Sequence, residues 1–198
     1  MAKRRTILNI PYADHDYEHD ARDFCTQRRL EYTLKFIDPM DLCGKKVLDI
    51  GPPNYVGGEI EKRFGVILDN TECNLNWWIN SPRIGYNTVL CLEVVEHLMN
   101  ALVLAVEVRG NLDTGGILYL STPVRNKYGF MFNETQHFTE YSEAAIRTLL
   151  DYAGFDILKH ETFRSIPFWR GMKEGGGIFR TALRVSSQRT QLVKARKR

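Results

Sequence analysis

The strongest constraint on this chain is a repeated switch of hydrophobic period. Short apolar runs closed by Gly, Pro or Asp alternate with longer stretches whose apolar residues recur at helical spacing. Lys46-Val47-Leu48-Asp49-Ile50 is one such run, stopped by Gly51-Pro52-Pro53. Further strands are predicted over residues 66–68, ending at Asp69, and over 87–93, 117–120, 155–163 and 178–185. Helices are predicted over 17–37, ended by Pro39, and over 58–63 and 97–109. A last helix, capped by Ser142, runs to about Ala153, and Gly154 stops it. Strands alternating with helices predict an α/β fold: a mostly parallel sheet covered on both faces, with ligands at the C-terminal ends of its strands.

With 198 residues, the chain reads as a single domain large enough to bury a core without disulfides or metal. Its longest apolar stretch, residues 101–108, is broken by Glu107 and falls far short of a membrane span. No apolar run follows the basic start Lys3-Arg4-Arg5, so no signal peptide is expected. Cys25, Cys43, Cys73 and Cys91 form no Cys-x-x-Cys pair, which fits reduced thiols and a cytoplasmic location. The charge is uneven. Residues 1–13 carry +3 and residues 175–198 carry +7 against a net charge of +3, which leaves −7 on the body between them. The last residues, 186–198, therefore read as a solvated basic tail. An acidic body argues against a broad nucleic-acid footprint.

The loop after the first strand, Asp49-Ile50-Gly51-Pro52-Pro53-Asn54-Tyr55, is the natural cofactor seat of such a sheet. Twenty residues beyond Asp49, Asp69 could hold the hydroxyls of a ribose. Neither the G-x-G-x-x-G fingerprint nor a G-x-x-x-x-G-K phosphate loop is present. The remaining common occupant is a cofactor with a ribose and no phosphate.

Five ordered blocks carry a resemblance. They are Lys46-Val47-Leu48-Asp49-Ile50-Gly51; Asp69; Leu90-Cys91-Leu92-Glu93-Val94-Val95-Glu96-His97-Leu98; Gly115-Gly116-Ile117-Leu118-Tyr119-Leu120-Ser121-Thr122-Pro123; and His137-Phe138-Thr139-Glu140-Tyr141-Ser142, running on to Ala153-Gly154-Phe155. Over residues 45–163 the sequence resembles the class I S-adenosylmethionine-dependent methyltransferases. The nearest likeness is to small-molecule enzymes of the ubiquinone-biosynthesis type, whose fourth strand ends in a similar Glu-Val-x-Glu-His. The resemblance implies a Rossmann-like fold with a seven-stranded sheet whose last strand, residues 178–185, runs antiparallel. It also implies an N-terminal helical cover over residues 1–40 and a core over 45–185. Asp49, Gly51 and Asn54 are implied at the methionine end of the cofactor and Asp69 at its ribose. Asn74 and Leu75 are implied on the adenine side, and Cys91, Leu92 and Glu93 at the floor. Tyr12 or Tyr17 is implied to reach the cofactor from an N-terminal segment folded over the site. The family's second and third loop glycines fall at Pro53 and Tyr55 here; the two prolines remove amide donors, and Gly57 and Gly58 are the candidates to replace them.

Methyl transfer to a hydroxyl needs positioning and a base, which points to histidine. His137 is the first choice and His97 the second, both beside strand ends. Glu96 next to His97 does not by itself make a metal site, so no metal is expected. The connection from Arg164 to Gly177 holds Trp169 and Arg170, which suit an anionic or ring-bearing acceptor. The resulting expectation is methyl transfer from S-adenosylmethionine to oxygen or nitrogen of a small metabolite or glycan precursor. Two other readings stand beside it: a non-catalytic scaffold that binds through the apolar helix, and a nucleic-acid methyltransferase that uses the basic ends. Homodimer formation is left open.

Overall fold

The computed structural model describes residues 23–71, 74–77, 85–125, 137–165 and 189–198. Its first helix, α1 (Phe24–Phe36), starts where the Asp23 carboxylate accepts the Thr26 amide at 2.7 Å, a cap that contributes about 1 kcal/mol. It buries Thr26, Leu30, Thr33 and Phe36 along one stripe. Strand β1 (Val47–Asp49) is buried throughout, and α2 (Tyr55–Phe64) follows it, capped by Asn54. Then come β2 (Leu68–Asn70), β3 (Tyr86–Leu92), α3 (Ala101–Asn111) and β4 (Leu112–Pro123). The chain closes with α4 (Glu143–Tyr152), β5 (Phe155–Arg164) and β6 (Arg189–Lys197).

These strands form one sheet of six in the order β2-β1-β3-β4-β6-β5, with β6 antiparallel to both of its neighbours. The α/β architecture, parallel except for its last strand, agrees with the sequence reading. The strand count does not: six strands stand among the described residues where seven were expected. Residues 178–185 lie outside those residues. Among the described residues the antiparallel strand is 189–197, within the stretch expected to be a solvated basic tail. Its interior residues Leu192, Val193 and Ala195 serve both faces of the sheet, and the charges near its ends concealed them. Lys194 reaches out to Asp41 at 2.7 Å and Asp38 at 3.6 Å, keeping its ammonium among acids while its stem is buried.

Two apolar layers enclose the sheet. On one face, Phe36, Ile60 and Val66 pack with Leu90, Tyr119 and Leu192 beneath α1 and α2. On the other, Leu104 and Val108 of α3 and Ile146 and Leu150 of α4 pack on Val89, Leu118 and Val193. The expected helix 97–109 divides into a 3-10 turn at Val95–His97 and α3. Helix α3 is apolar on two sides: Leu104 and Val108 are buried, whereas Leu102 and Val106 are exposed. No helix among the described residues is long and apolar enough to cross a membrane.

Candidate active site

A cavity of 510 Å³ opens at the C-terminal ends of β1 and β3. Its floor is the loop that leaves β1, its far wall is the segment at 74–76, and Leu92, Glu93 and Val94 close one side. Helix α1 roofs it with Thr26, Arg29, Leu30 and Thr33.

The floor is built around Asp49. Burial pushes this carboxyl up to about 7, against the lowering effect of the Asn70 and Asn54 amides, which approach its Oδ2 at 3.4 and 3.5 Å. Gly51 takes φ +116°, a conformation that side chains resist, and its amide donates to Thr71 Oγ1 at 2.7 Å. Pro52 and Pro53 contribute no amide hydrogen here. Close packing is recovered further on: a Cβ at Gly57 would lie 2.9 Å from Asp49 Oδ2, so only glycine lets α2 come this near the strand end. Gly57 therefore supplies the close approach that Tyr55 does not.

Glu93 follows β3 with φ 55°, the only non-glycine residue of positive φ among the described residues. Such a conformation costs about 1–3 kcal/mol and persists only where the surroundings enforce it. Its amide donates to the Ser121 carbonyl and Oγ, both at 3.0 Å, and its Oε1 accepts the Ser121 hydroxyl at 2.7 Å. Its Oε2 accepts from Arg29 Nη1 at 2.9 Å. Burial works against the Arg29 charge, yet Glu93 beside it raises the guanidinium above its ordinary pKa.

Behind Glu93, Glu96 is 1% exposed, and its carboxyl is pushed up by burial and then by the Glu93 charge. Thr122 Oγ1 donates to its Oε2 at 2.9 Å. The Glu96 carbonyl accepts the Phe138 amide at 2.8 Å, which draws the segment beginning at 137 onto the 3-10 turn. The His97 and His137 rings consequently meet edge to face, 5.0 Å between centroids.

Of the residues singled out in the sequence, Asp49, Gly51, Asn54, Asn74, Leu75, Leu92, Glu93 and His97 line the cavity. Asp69 does not. It is exposed and accepts the Tyr86 hydroxyl at 3.0 Å. The strand lies two residues later than predicted, so pairing places Asn70 beside Asp49 and turns Asp69 away. Cys91 is also absent from the cavity: alternation along β3 sends it into the core on the α3 side, where burial raises its thiol pKa. His137 lies behind His97 rather than on the cavity wall. Arg164 ends β5 on the surface, where its carbonyl accepts from Arg28 Nε at 2.8 Å. Tyr12, Tyr17, Trp169 and Arg170 lie outside the described residues. Sequence reasoning missed Arg29, whose signal was a cation three residues from Thr26 and four from Thr33 on the buried stripe of α1.

The sequence matches no protein-family model and no curated protein. Solved structures do match. A chain of the complex between the Haloferax volcanii Trm112 methyltransferase activator and a methyltransferase superposes with a TM-score of 0.70 at 12% identity, over 94% of this chain and 99% of that one. An S-adenosylmethionine-dependent methyltransferase from Archaeoglobus fulgidus gives 0.62 at 14% identity, over 91% and 97%. The cyclase SpnF gives 0.60 at 13%, over 87% and 81%. The chain thus has the Rossmann-like fold of the class I S-adenosylmethionine-dependent methyltransferases.

Proposed function

We propose that the cavity binds S-adenosylmethionine and that the protein transfers its methyl group to oxygen or nitrogen of a small acceptor, a metabolite or glycan precursor. The observation that carries this reading is the donor set. Asp49 and Glu93 face the cavity together with a single guanidinium, Arg29, an arrangement that suits a ligand bearing a carboxylate and cationic centres. Gly57 packs closely on Asp49 and itself lines the cavity. Leu75 and Leu92 offer apolar walls of the kind a flat adenine needs, and Asn74 and Asn54 offer amides for its polar edges and the ribose.

When bound, the cofactor supplies an electrophilic methyl group on a sulfonium. The chain's own task is to hold the acceptor in line, exclude water and take up a proton. Helix α1 performs the exclusion, because Arg29 ties it to Glu93 across the opening. His97 is the imidazole on the cavity wall and therefore the first candidate to accept the acceptor's proton, with the His137 ring packed behind it. The test is formation of S-adenosylhomocysteine by the full chain across a panel of hydroxyl and amine acceptors. One acceptor should turn over, and His97→Ala should lower kcat by about 10²–10⁴ while cofactor affinity holds.

A second reading is use of the fold without methyl transfer. It is favoured by the two proline positions of the first loop, and the cyclase SpnF is a structural neighbour whose name carries another chemistry. Cofactor binding with no turnover on any acceptor would select it. A nucleic-acid acceptor draws no support from Lys194 and Arg198, which are paired with acids of the same domain; Lys3, Arg4, Arg5, Arg180 and Arg184 lie outside the described residues.

A further inference from the structure

We propose that Glu96, His97 and His137 bind a divalent transition cation beside the cavity. Each residue offers one ligand atom, and the three atoms all lie within 4.8 Å of one another. His97 Nε2 is 3.9 Å from Glu96 Oε1. Nitrogen and oxygen ligands at about 2.0–2.2 Å from a tetrahedral zinc sit roughly 3.3–3.6 Å apart, so the widest separation must close by about 1 Å. The His97 side chain, 42% exposed, is the ligand with freedom to move toward the other two.

The surroundings are those of a metal site. Thr122 holds Glu96 Oε2 at 2.9 Å, which fixes the carboxylate and leaves Oε1 directed at His97. Glu140 Oε1 lies 3.9 Å from His137 Nδ1, a nearby carboxylate of the kind that partners metal-bound histidines. The backbone bond from Phe138 to the Glu96 carbonyl holds the two halves of the cluster together although 40 residues separate them. Glu96 is 1% exposed, and a buried carboxylate needs a counter-charge. Among the described residues, the basic side chain within ion-pair range of it is His97. Two imidazoles and one carboxylate favour a borderline cation of the zinc class over magnesium or calcium.

Because His97 also lines the cavity, the cation would adjoin the space of the acceptor; a cation-bound His97 has no lone pair left to act as base, so in that state the cation would acidify an acceptor hydroxyl, which would release its proton to solvent in place of His97. That consequence rests on the methyl-transfer reading; cation binding does not. The experiment is titration of chelator-treated full chain with Zn²⁺ by calorimetry, and with Co²⁺ by visible absorption. The expected result is uptake of about one equivalent. His137→Ala and Glu96→Gln should each weaken it by at least about 100-fold with unchanged circular dichroism, and the double variant His15→Ala/His19→Ala should bind like the natural chain. His137 belongs to no helix or strand and its side chain is 13% exposed against 1% for Glu96, so its truncation keeps the test usable if Glu96→Gln unfolds. Folded natural chain that takes up no Zn²⁺, or uptake that survives both ligand substitutions, overturns the site. Zn²⁺ uptake without S-adenosylmethionine binding would remove the proposed activity and leave the cation site standing.

Discussion

Acids meet cations very differently at the cavity and at the C-terminal strand. Along β6 and just after it, charges are matched: Lys194 with Asp41 and Asp38, Arg198 with Asp151 and Asp156, and Arg189 with Glu143. The Lys197 ammonium donates to the Leu112 carbonyl. At the cavity, Asp49 and Glu93 line the wall with Glu96 behind Glu93; among the described residues the ion pair there is Arg29 with Glu93, and Asp49 and Glu96 are nearly fully buried. Matched pairs at a sheet edge hold a strand in place. An excess of buried carboxylate is a cost to the ligand-free fold, and it is offset when a cationic ligand arrives.

The largest effect that would sharpen this contrast should come from Arg29→Met. It removes the cation paired with Glu93 and leaves that carboxylate with the Ser121 hydroxyl, so unfolding free energy should fall by about 2–3 kcal/mol in urea titrations. A change below about 0.5 kcal/mol would mean that the cavity is not short of positive charge.

Asp49→Asn should act in the opposite direction. The folded carboxyl titrates at about 7 against an ordinary 3.8, so between these values the folded chain holds a proton that the unfolded chain has released. Stability therefore falls as pH rises through that window, and the penalty is complete above it. Asparagine should raise stability by about 2 kcal/mol near pH 8 and change little near pH 4, with thermal melts at both values as the check.

At the matched end, Lys194→Met should cost about 1–2 kcal/mol, because Asp41 is largely buried and keeps only the Tyr119 hydroxyl. Binding at the cavity should not change; a coupled loss would break the separation of the two regions. The smallest effect belongs to Asp151→Asn, which loosens an exposed pair with Arg198 and should move the melting midpoint by less than about 0.5 kcal/mol equivalent.

Much of this arrangement is legible in the residue pattern. The apolar run ending at Asp49-Ile50-Gly51 fixes the cavity floor, and Leu92-Glu93 fixes its side. What failed was register. Val66 and Ile67 are apolar enough to suggest a strand, but Ile67 is exposed and pairing begins at Leu68, which exchanges Asp69 for Asn70 at the site. The same difficulty hid β6, whose interior residues are framed by charges that fold back onto acids distant in sequence. Long-range pairs such as Lys194 with Asp41, or Phe138 with Glu96, leave no local periodicity to read. Helix α1 was visible as a helix, but its role as a roof depends on a contact from Arg29 to Glu93, 64 residues away.

The most direct measurement is calorimetric titration of the full chain with S-adenosylmethionine, alongside Glu93→Gln and Asp69→Ala. The natural chain and Asp69→Ala should bind alike, and Glu93→Gln should bind at least about tenfold more weakly, since a charge-assisted contact facing a cationic ligand is lost. No binding by the folded natural chain, or a loss caused by Asp69→Ala and not by Glu93→Gln, would contradict the account.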